Sequence, residues 1–379
     1  MAARYDAGVR IAVVGGGING LGVAWELARR DYDVTLLEKG RCGAQTSAST
    51  TKLIHGGIRY LERGHVGLVR EALRERAWLL EHLPQLVHPL QFILPVYEDS
   101  PRMRATLSFG LALYDALAGR QNIARHRKIG ADEVAASAPL RRETLRGGFR
   151  YWDAQTDDYA MARAVMASAI RDGADVREET RVDALARDGK QWIVNGDERF
   201  DFVVNAAGPW MNELLAANGL RSRYRLSLVR GSHLVLKERV ADVALLLQSL
   251  TDRRVFFVLP WKGTTLVGTT EVLHDRPMNG VAASEDEIDY LIARFNRYFR
   301  APIARDDVAS TFAGVRPLVG RAANPSAIGR EYRIERHGNL VNVFGGKMTT
   351  FLSLARKVAM RVDNYFEQPR AARPAIFVA

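Results

Sequence analysis

Cysteine is almost missing from this chain. Cys42 is the single one among 379 residues, so no intramolecular disulfide can form, and a reducing compartment is the expectation. One lone loop cysteine and eight scattered histidines offer no metal-ligand spacing. Nowhere do about 20 apolar residues run together, the length that a membrane-crossing helix requires. The short apolar run near the N-terminus ends in glycines, which is not the pattern of a secretory signal. Acids are also short, with 43 against 54 basic residues and a net charge of +11. That balance suits anionic partners: nucleic acid, an anionic membrane or anionic substrates. No Arg/Lys-dense run with interleaved aromatics occurs, and arginines scattered along helices argue against nucleic acid. What is present is ordinary core material, 47% hydrophobic and 26% charged, with length for two domains or one domain and a cap.

The first marked stretch is Ile11-Ala12-Val13-Val14, a short apolar run suited to a strand buried on both faces of a parallel sheet. Gly15, Gly17 and Gly20 follow it. At this spacing the first glycine makes a tight bend. The second lets backbone amides approach a pyrophosphate, and the third lets a helix pack on the strand. Leu21–Arg30 reads as that helix, its positive end facing the phosphates, with Ile18 and Asn19 in the turn before it on the cofactor side. A second strand, Asp33–Glu38, ends in an acid and is followed by Lys39. Glu38 stands near the expected distance of about 20 residues past the glycines, placed for a ribose hydroxyl pair. An acid there disfavours a 2′-phosphate, leaving FAD or NAD, and the alternative is a purely structural turn.

Residues 43–60 then form a small, polar loop ending in Gly56-Gly57-Ile58-Arg59-Tyr60. A loop beside a pyrophosphate needs small residues for close approach and hydroxyls for hydrogen bonds, and this one has both. Thr46, Ser47 and Ser49, with Lys52-Leu53-Ile54-His55-Gly56-Gly57-Ile58-Arg59-Tyr60-Leu61-Glu62 and the glycine turn, resemble the FAD-dependent glycerol-3-phosphate dehydrogenases and oxidases. These sit in the wider flavoprotein group that includes D-amino-acid oxidase. The resemblance runs over most of residues 9–368 and makes FAD the implied cofactor.

Further along, residues 66–83 carry apolar side chains at Val69, Leu73, Ala77 and Leu80, the spacing of one helix face. Arg70, Glu71, Arg74, Glu75 and Arg76 read as its solvated face. Pro84 and Pro89 break the pattern before a strand at Gln91–Tyr97. The apolar stretch 104–118, flanked by Arg102, Arg104 and Arg120, suits either a helix lying on an anionic membrane or a cap helix buried in its own domain. A helix follows over Tyr159–Arg171. Strands are expected near Ala174–Glu178, Arg181–Arg187, Gln191–Asn195 and Asp201–Ala206, then across the β-rich region Arg225–Leu236, Val255–Pro260 and Thr264–Gly268. After a helix near Ser284–Phe299 the chain closes with Leu340–Phe344, a Gly345-Gly346 turn and a last helix.

The expected fold is therefore α/β: a Rossmann-like FAD-binding domain, discontinuous over 1–83, 150–215 and 306–379, with a β-rich antiparallel substrate or cap domain from 84–149 and 216–305. The resemblance adds Val182, Ala207, Gly208, Gly346, Lys347, Met348 and Thr349 to the cofactor side, with Lys52, Leu53, His55 and Gly57. For the substrate it implies Arg59, Tyr60, Arg316 and Lys347, and His233 as proton acceptor or hydroxyl partner. Three cations suit a phosphate dianion, and a histidine titrating near neutrality suits a general base. The implied reaction is oxidation of sn-glycerol 3-phosphate to dihydroxyacetone phosphate by hydride transfer to flavin N5, with a quinone or oxygen taking the electrons. Alternatives are another phosphorylated polyol, an amino acid or 2-hydroxy acid as substrate, or a non-catalytic flavoprotein. Many family members carry a further C-terminal helical domain, and the expectation here is a short form without it. The expected location is cytoplasmic, at the inner face of the cell membrane if the 104–118 helix docks there.

Overall fold

In the computed structural model, residues 8–321 and 328–378 are described. They fall into two compact units: 8–48, 158–228, 316–321 and 328–378 make the first, 49–157 and 229–315 the second.

The first unit is built on a six-stranded sheet in the spatial order Arg333–His337, Leu340–Phe344, Phe202–Asn205, Arg10–Val14, Asp33–Leu37, Asp175–Arg177. All neighbours are parallel except the first pair. Strand Arg10–Val14 lies at its centre because Ile11, Ala12 and Val13 have no side that faces water. Helix Ile18–Ala28 packs against Asp158–Arg171 and Phe351–Phe366. The approach is close: a Cβ on Gly22 would stand 2.6 Å from the Phe351 ring. A small antiparallel sheet, Leu185–Asp188, Gln191–Val194 and Glu198–Phe200, covers one side through Leu185, Trp192, Val194 and Phe200.

The second unit is organised on a ten-stranded sheet, mostly antiparallel. Its long strands are Val87–Tyr97, Leu145–Thr156, Leu226–Leu236 and Val308–Val319. One parallel pair, Ala244↔Phe92 and Leu245↔Ile93, joins its two halves. Helix Glu285–Tyr298 seals one face with Leu291, Phe295 and Tyr298, and Leu107 and Leu111 of helix Arg104–Ala118 sit on the other. A capping box at Ser284 and Glu287 starts the former.

The Rossmann-like sheet and the β-rich second unit match the expected α/β class. Four details differ from the sequence-based expectation. Residues 49–83 and 150–157 group with the second unit, because Leu53 and Ile54 pair with Gln155 and Ala154 and helix Val66–His82 packs on Arg104–Ala118. Residues 216–228 group with the first unit and 306–315 with the second. Of Arg181–Arg187 only the end joins a strand, since the Asn195 side chain takes the amides of Asp183 and Ala184 that a ladder would use. On helix Val66–His82 the charged face is not all solvated: Glu75 and Arg76 are buried.

Candidate functional site

In the first unit the three expected glycines form the turn, and two of them, Gly15 and Gly20, leave no room for a side chain. Gly15 has φ +103°, and a Cβ there would lie 2.6 Å from the Ala206 carbonyl oxygen. On Gly20 a Cβ would lie 1.9 Å from the Gly15 carbonyl oxygen, so helix and strand touch backbone to backbone. Gly17 is the N-cap of helix Ile18–Ala28 and supplies no side-chain acceptor. Ser47 does so from the loop, its Oγ accepting the Ile18 amide at 2.9 Å. Thr46 sits beside it in the same short turn.

Glu38 ends the neighbouring strand and is buried. Its Oε2 accepts the Gly16 amide at 2.6 Å and its Oε1 the Gly40 amide at 3.0 Å. A carboxylate has lone pairs beyond these two, so the group is oriented without being used up. The next residue, Lys39, lays its ammonium 3.3 Å from the centre of the Trp210 ring. Burial lowers the pKa of that lysine. Val182 packs with Ala12, Val14 and Leu37, while Asn205 Oδ1 accepts the Ala207 amide at 3.2 Å, just before Gly208. Cys42 is buried and its thiol pKa is pushed up to about 12 by that burial, so it is packed and not reactive.

A second glycine turn meets the first. Asn19 Nδ2 donates to the Gly345 carbonyl at 3.0 Å. Gly346 has φ +107°, and a Cβ on it would press 2.3 Å from that same amide nitrogen. The Asn19 Oδ1 atom is buried and finds no donor among the described residues. Lys347, Met348 and Thr349 follow, the last two buried in a short turn that leads into helix Phe351–Phe366. Bare helix amides, Cβ-free approaches at Gly15, Gly20 and Gly346, an oriented acid and an unmatched amide oxygen fit a dinucleotide held largely by main chain. Arg316 also belongs to this unit and is half-buried.

The second unit holds the remaining expected residues. His233 is fully buried. Its Nε2 shares a hydrogen bond of 3.0 Å with Thr51 Oγ1, and its ring stacks on Phe312 at 4.7 Å. Gly268 lies opposite on the neighbouring strand, where a Cβ would stand 2.1 Å from the imidazole. Only a glycine leaves room for this ring. Lys52 lies buried with its ammonium 5.0 Å from the Phe312 ring centre, and Leu53 starts the short strand Leu53–Ile54. Ser49 backs onto Gly314, at 2.6 Å from where its Cβ would be. His55 sets its ring edge-on to Phe257.

Beyond it Gly57 takes a left-handed φ of +78° and begins a short helical turn, Ile58–Arg63. Arg59 there places Nη2 3.2 Å from Glu271 Oε1, with the arginine side chain 26% exposed and the glutamate 4%. Burial works against the guanidinium charge, but Glu271, together with Tyr60 and Glu62, outweighs it, so its pKa stands above the ordinary arginine value. Tyr60 packs its ring toward Val69, Leu73 and Tyr114. Glu271 continues into a polar core: Thr270 Oγ1 donates to Glu287 Oε1 at 2.6 Å, and Arg230 Nη2 pairs with Glu287 Oε2 at 2.7 Å. Thr51, Phe312, Glu287 and Arg230 were not anticipated. Their signal is pairing with residues far along the chain, 182 positions away for Thr51, or packing of one ring on another, which no local pattern carries.

A glycine cradle on a parallel sheet, continued in the same chain by a β-rich unit, defines the class of two-part dinucleotide-dependent oxidoreductases. The chain belongs to the FAD dependent oxidoreductase family, whose sequence pattern matches residues 10–360. FAD is its cofactor. Among its relatives, the D-erythritol 1-phosphate dehydrogenase of Brucella abortus is 38% identical, the match covering 94% of this chain and 74% of that protein. The aerobic glycerol-3-phosphate dehydrogenase of Escherichia coli is 35% identical, with the same two coverages of 94% and 74%. The fold is that of the solved glycerol-3-phosphate dehydrogenase of Bacillus halodurans with FAD, at TM-score 0.76 and 23% identity over 97% of this chain and 67% of that one. The L-alpha-glycerophosphate oxidase of Mycoplasma pneumoniae, also with FAD bound, aligns at TM-score 0.78 and 16% identity over 97% and 96%.

Proposed function

We propose that the protein oxidises sn-glycerol 3-phosphate to dihydroxyacetone phosphate and passes the electrons to a quinone or oxygen. The supporting observation is that one short segment, Thr51–Arg59, carries both the hydroxyl bonded to the buried His233 and the arginine held by Glu271. In this reading Arg59 receives the phosphate, with Arg316 and Lys347 as further cations and Tyr60 as a hydroxyl donor. His233 takes the proton of the substrate hydroxyl, oriented by Thr51 and the Phe312 face. The bound FAD supplies the two-electron acceptor. The 38% identity to a D-erythritol 1-phosphate dehydrogenase favours a second reading at the same site, a longer phosphorylated polyol.

The test is an anaerobic visible spectrum of the purified yellow protein, before and after each phosphate ester. Bleaching by sn-glycerol 3-phosphate at low concentration supports the first reading. Bleaching only by the tetritol phosphate selects the second, and no bleaching by either sinks both.

We further propose that helix Arg104–Ala118 rests on an anionic membrane. No helix among the described residues is long and apolar enough to cross one. The helix buries Leu107, Leu111 and Tyr114 but leaves Phe109 72% exposed, with Met103 76% exposed at its start. Protein that ignores anionic liposomes at low salt would remove this proposal.

A further inference from the structure

Behind the segment that carries Arg59 lies a set of charges that the proposed reaction does not use. Arg76 has no exposed surface at all, and Asp153 and Tyr114 are 2% and 1% exposed. Arg76 Nη1 donates to Asp153 Oδ1 at 2.6 Å and to the Trp152 carbonyl at 3.0 Å. Tyr114 Oη donates to the Asp153 carboxylate, at 2.8 Å from Oδ1 and 3.0 Å from Oδ2. The same hydroxyl accepts the Gly56 amide at 2.8 Å. The three side chains come from helix Val66–His82, helix Arg104–Ala118 and strand Leu145–Thr156.

We propose that Arg76, Asp153 and Tyr114 form a positioning relay that pins the Gly56 main chain and so presents Arg59 to the substrate phosphate. The inference rests on the reading in which Arg59 receives that phosphate. Gly56-Gly57 is the most freely jointed step of the segment, and Gly57 already stands at a left-handed φ of +78°. Such a pair does not hold an arginine in place by itself. Gly56 must also lack a side chain, because a Cβ there would meet Tyr114 Oη at 2.6 Å and Leu73 Cδ2 at 2.7 Å. Removing that side chain is what lets the hydroxyl reach the amide.

Apolar packing would stabilise this core as well as a buried ion pair does, since desolvation offsets most of the pair's attraction. A directed chain of hydrogen bonds does what apolar packing does not: it selects one position for one amide. Arg76 even leaves Nε and Nη2 without acceptors among the described residues, which marks the pair as poor stabilisation and good orientation. Glu271 grips Arg59 from the far end, so the segment is fixed at both ends.

The test uses the FAD-loaded protein and Tyr114→Phe, which keeps the ring and removes the hydroxyl. Amide hydrogen exchange in peptides spanning residues 53–62 is expected to speed up about tenfold, with other peptides unchanged. The Kd for inorganic phosphate and the KM for the phosphate ester are expected to rise about fivefold or more, while the limiting rate of flavin reduction stays within about twofold. A second variant, Arg76→Met with Asp153→Leu, is expected to keep its melting temperature near that of the unaltered protein and still show the raised KM. Ordinary phosphate affinity and ordinary exchange in Tyr114→Phe would overturn the relay. So would a double variant that regains the ordinary KM. If the unaltered protein neither binds inorganic phosphate nor is reduced by a phosphate ester, the reading of Arg59 fails. The exchange measurement then still decides whether the relay holds the segment.

Discussion

The two units shape their functional surfaces by opposite means. In the first, the cradle is made of what is missing: side chains at Gly15, Gly20 and Gly346, whose place is taken by backbone at the first two and by the Asn19 amide at the third. In the second, the work is done by buried polar side chains, His233 on Thr51, Arg59 on Glu271, and Arg76 on Asp153. The difference follows from what each must hold. A pyrophosphate is the same in every dinucleotide and can be met by amides at fixed geometry. A small substrate must be told from its neighbours, which takes charges and hydrogen bonds placed one by one.

The sharpest way to break this contrast is Gly20→Ala. Its Cβ would stand 1.9 Å from the Gly15 carbonyl oxygen, so helix and strand must separate. Overpacking of this kind costs about 1–3 kcal/mol or more, and the purified protein is expected to be colourless. A variant that retains full visible flavin absorbance refutes the main-chain account of the cradle.

Arg59→Ala probes the other side of the contrast. Loss of a charge-assisted pair costs about 1.5–3 kcal/mol, a rise of roughly tenfold to a hundredfold in KM for a phosphate ester. Flavin content is expected to stay unchanged, because Arg59 is read as meeting the substrate phosphate and not the cofactor. If flavin is lost together with substrate affinity, the division of labour between the units is wrong.

Smaller effects sharpen the comparison. Burial raises the Glu287 carboxyl pKa, but hydrogen bonds from Thr270 and Ser284 with the Arg230 charge outweigh it, and the value ends below the ordinary 4.5. A carboxyl depressed in the folded state stabilises above its unfolded pKa, and that contribution is lost as pH falls through the folded value. Glu287→Gln is therefore expected to melt a few degrees lower at neutral pH and to converge on the unaltered protein in acid. Parallel melting curves across the pH series would dismiss the carboxylate as a contributor. Smallest of all, Phe109→Ser on the exposed helix face is expected to change stability by less than about 0.5 kcal/mol. Its readout is weaker sedimentation with anionic liposomes at low salt, and identical sedimentation counts against docking through that face.

How much was legible beforehand follows the same division. Gly15, Gly17, Gly20 and Glu38 lie within one strand–helix–strand unit, so their spacing along the chain already encodes their geometry. The resemblance pointed to His233 and Arg59, but nothing local announced Thr51 as the partner of one or Glu271 as the grip on the other. Helix Val66–His82 shows the limit best. Its periodicity marked an apolar face and assigned Glu75 and Arg76 to water. The fold buries both, and Arg76 meets Asp153 of strand Leu145–Thr156 there.

The amino-acid order by itself determined the first strand, the glycine turn and the class of cofactor, since these depend on steric permission within a few consecutive residues. Only the tertiary structure decided where the chain divides into units, which charges go inside, and what each of them meets. Those outcomes depend on side chains brought together from distant segments, and a buried charge is tolerated only where a partner stands within hydrogen-bond reach.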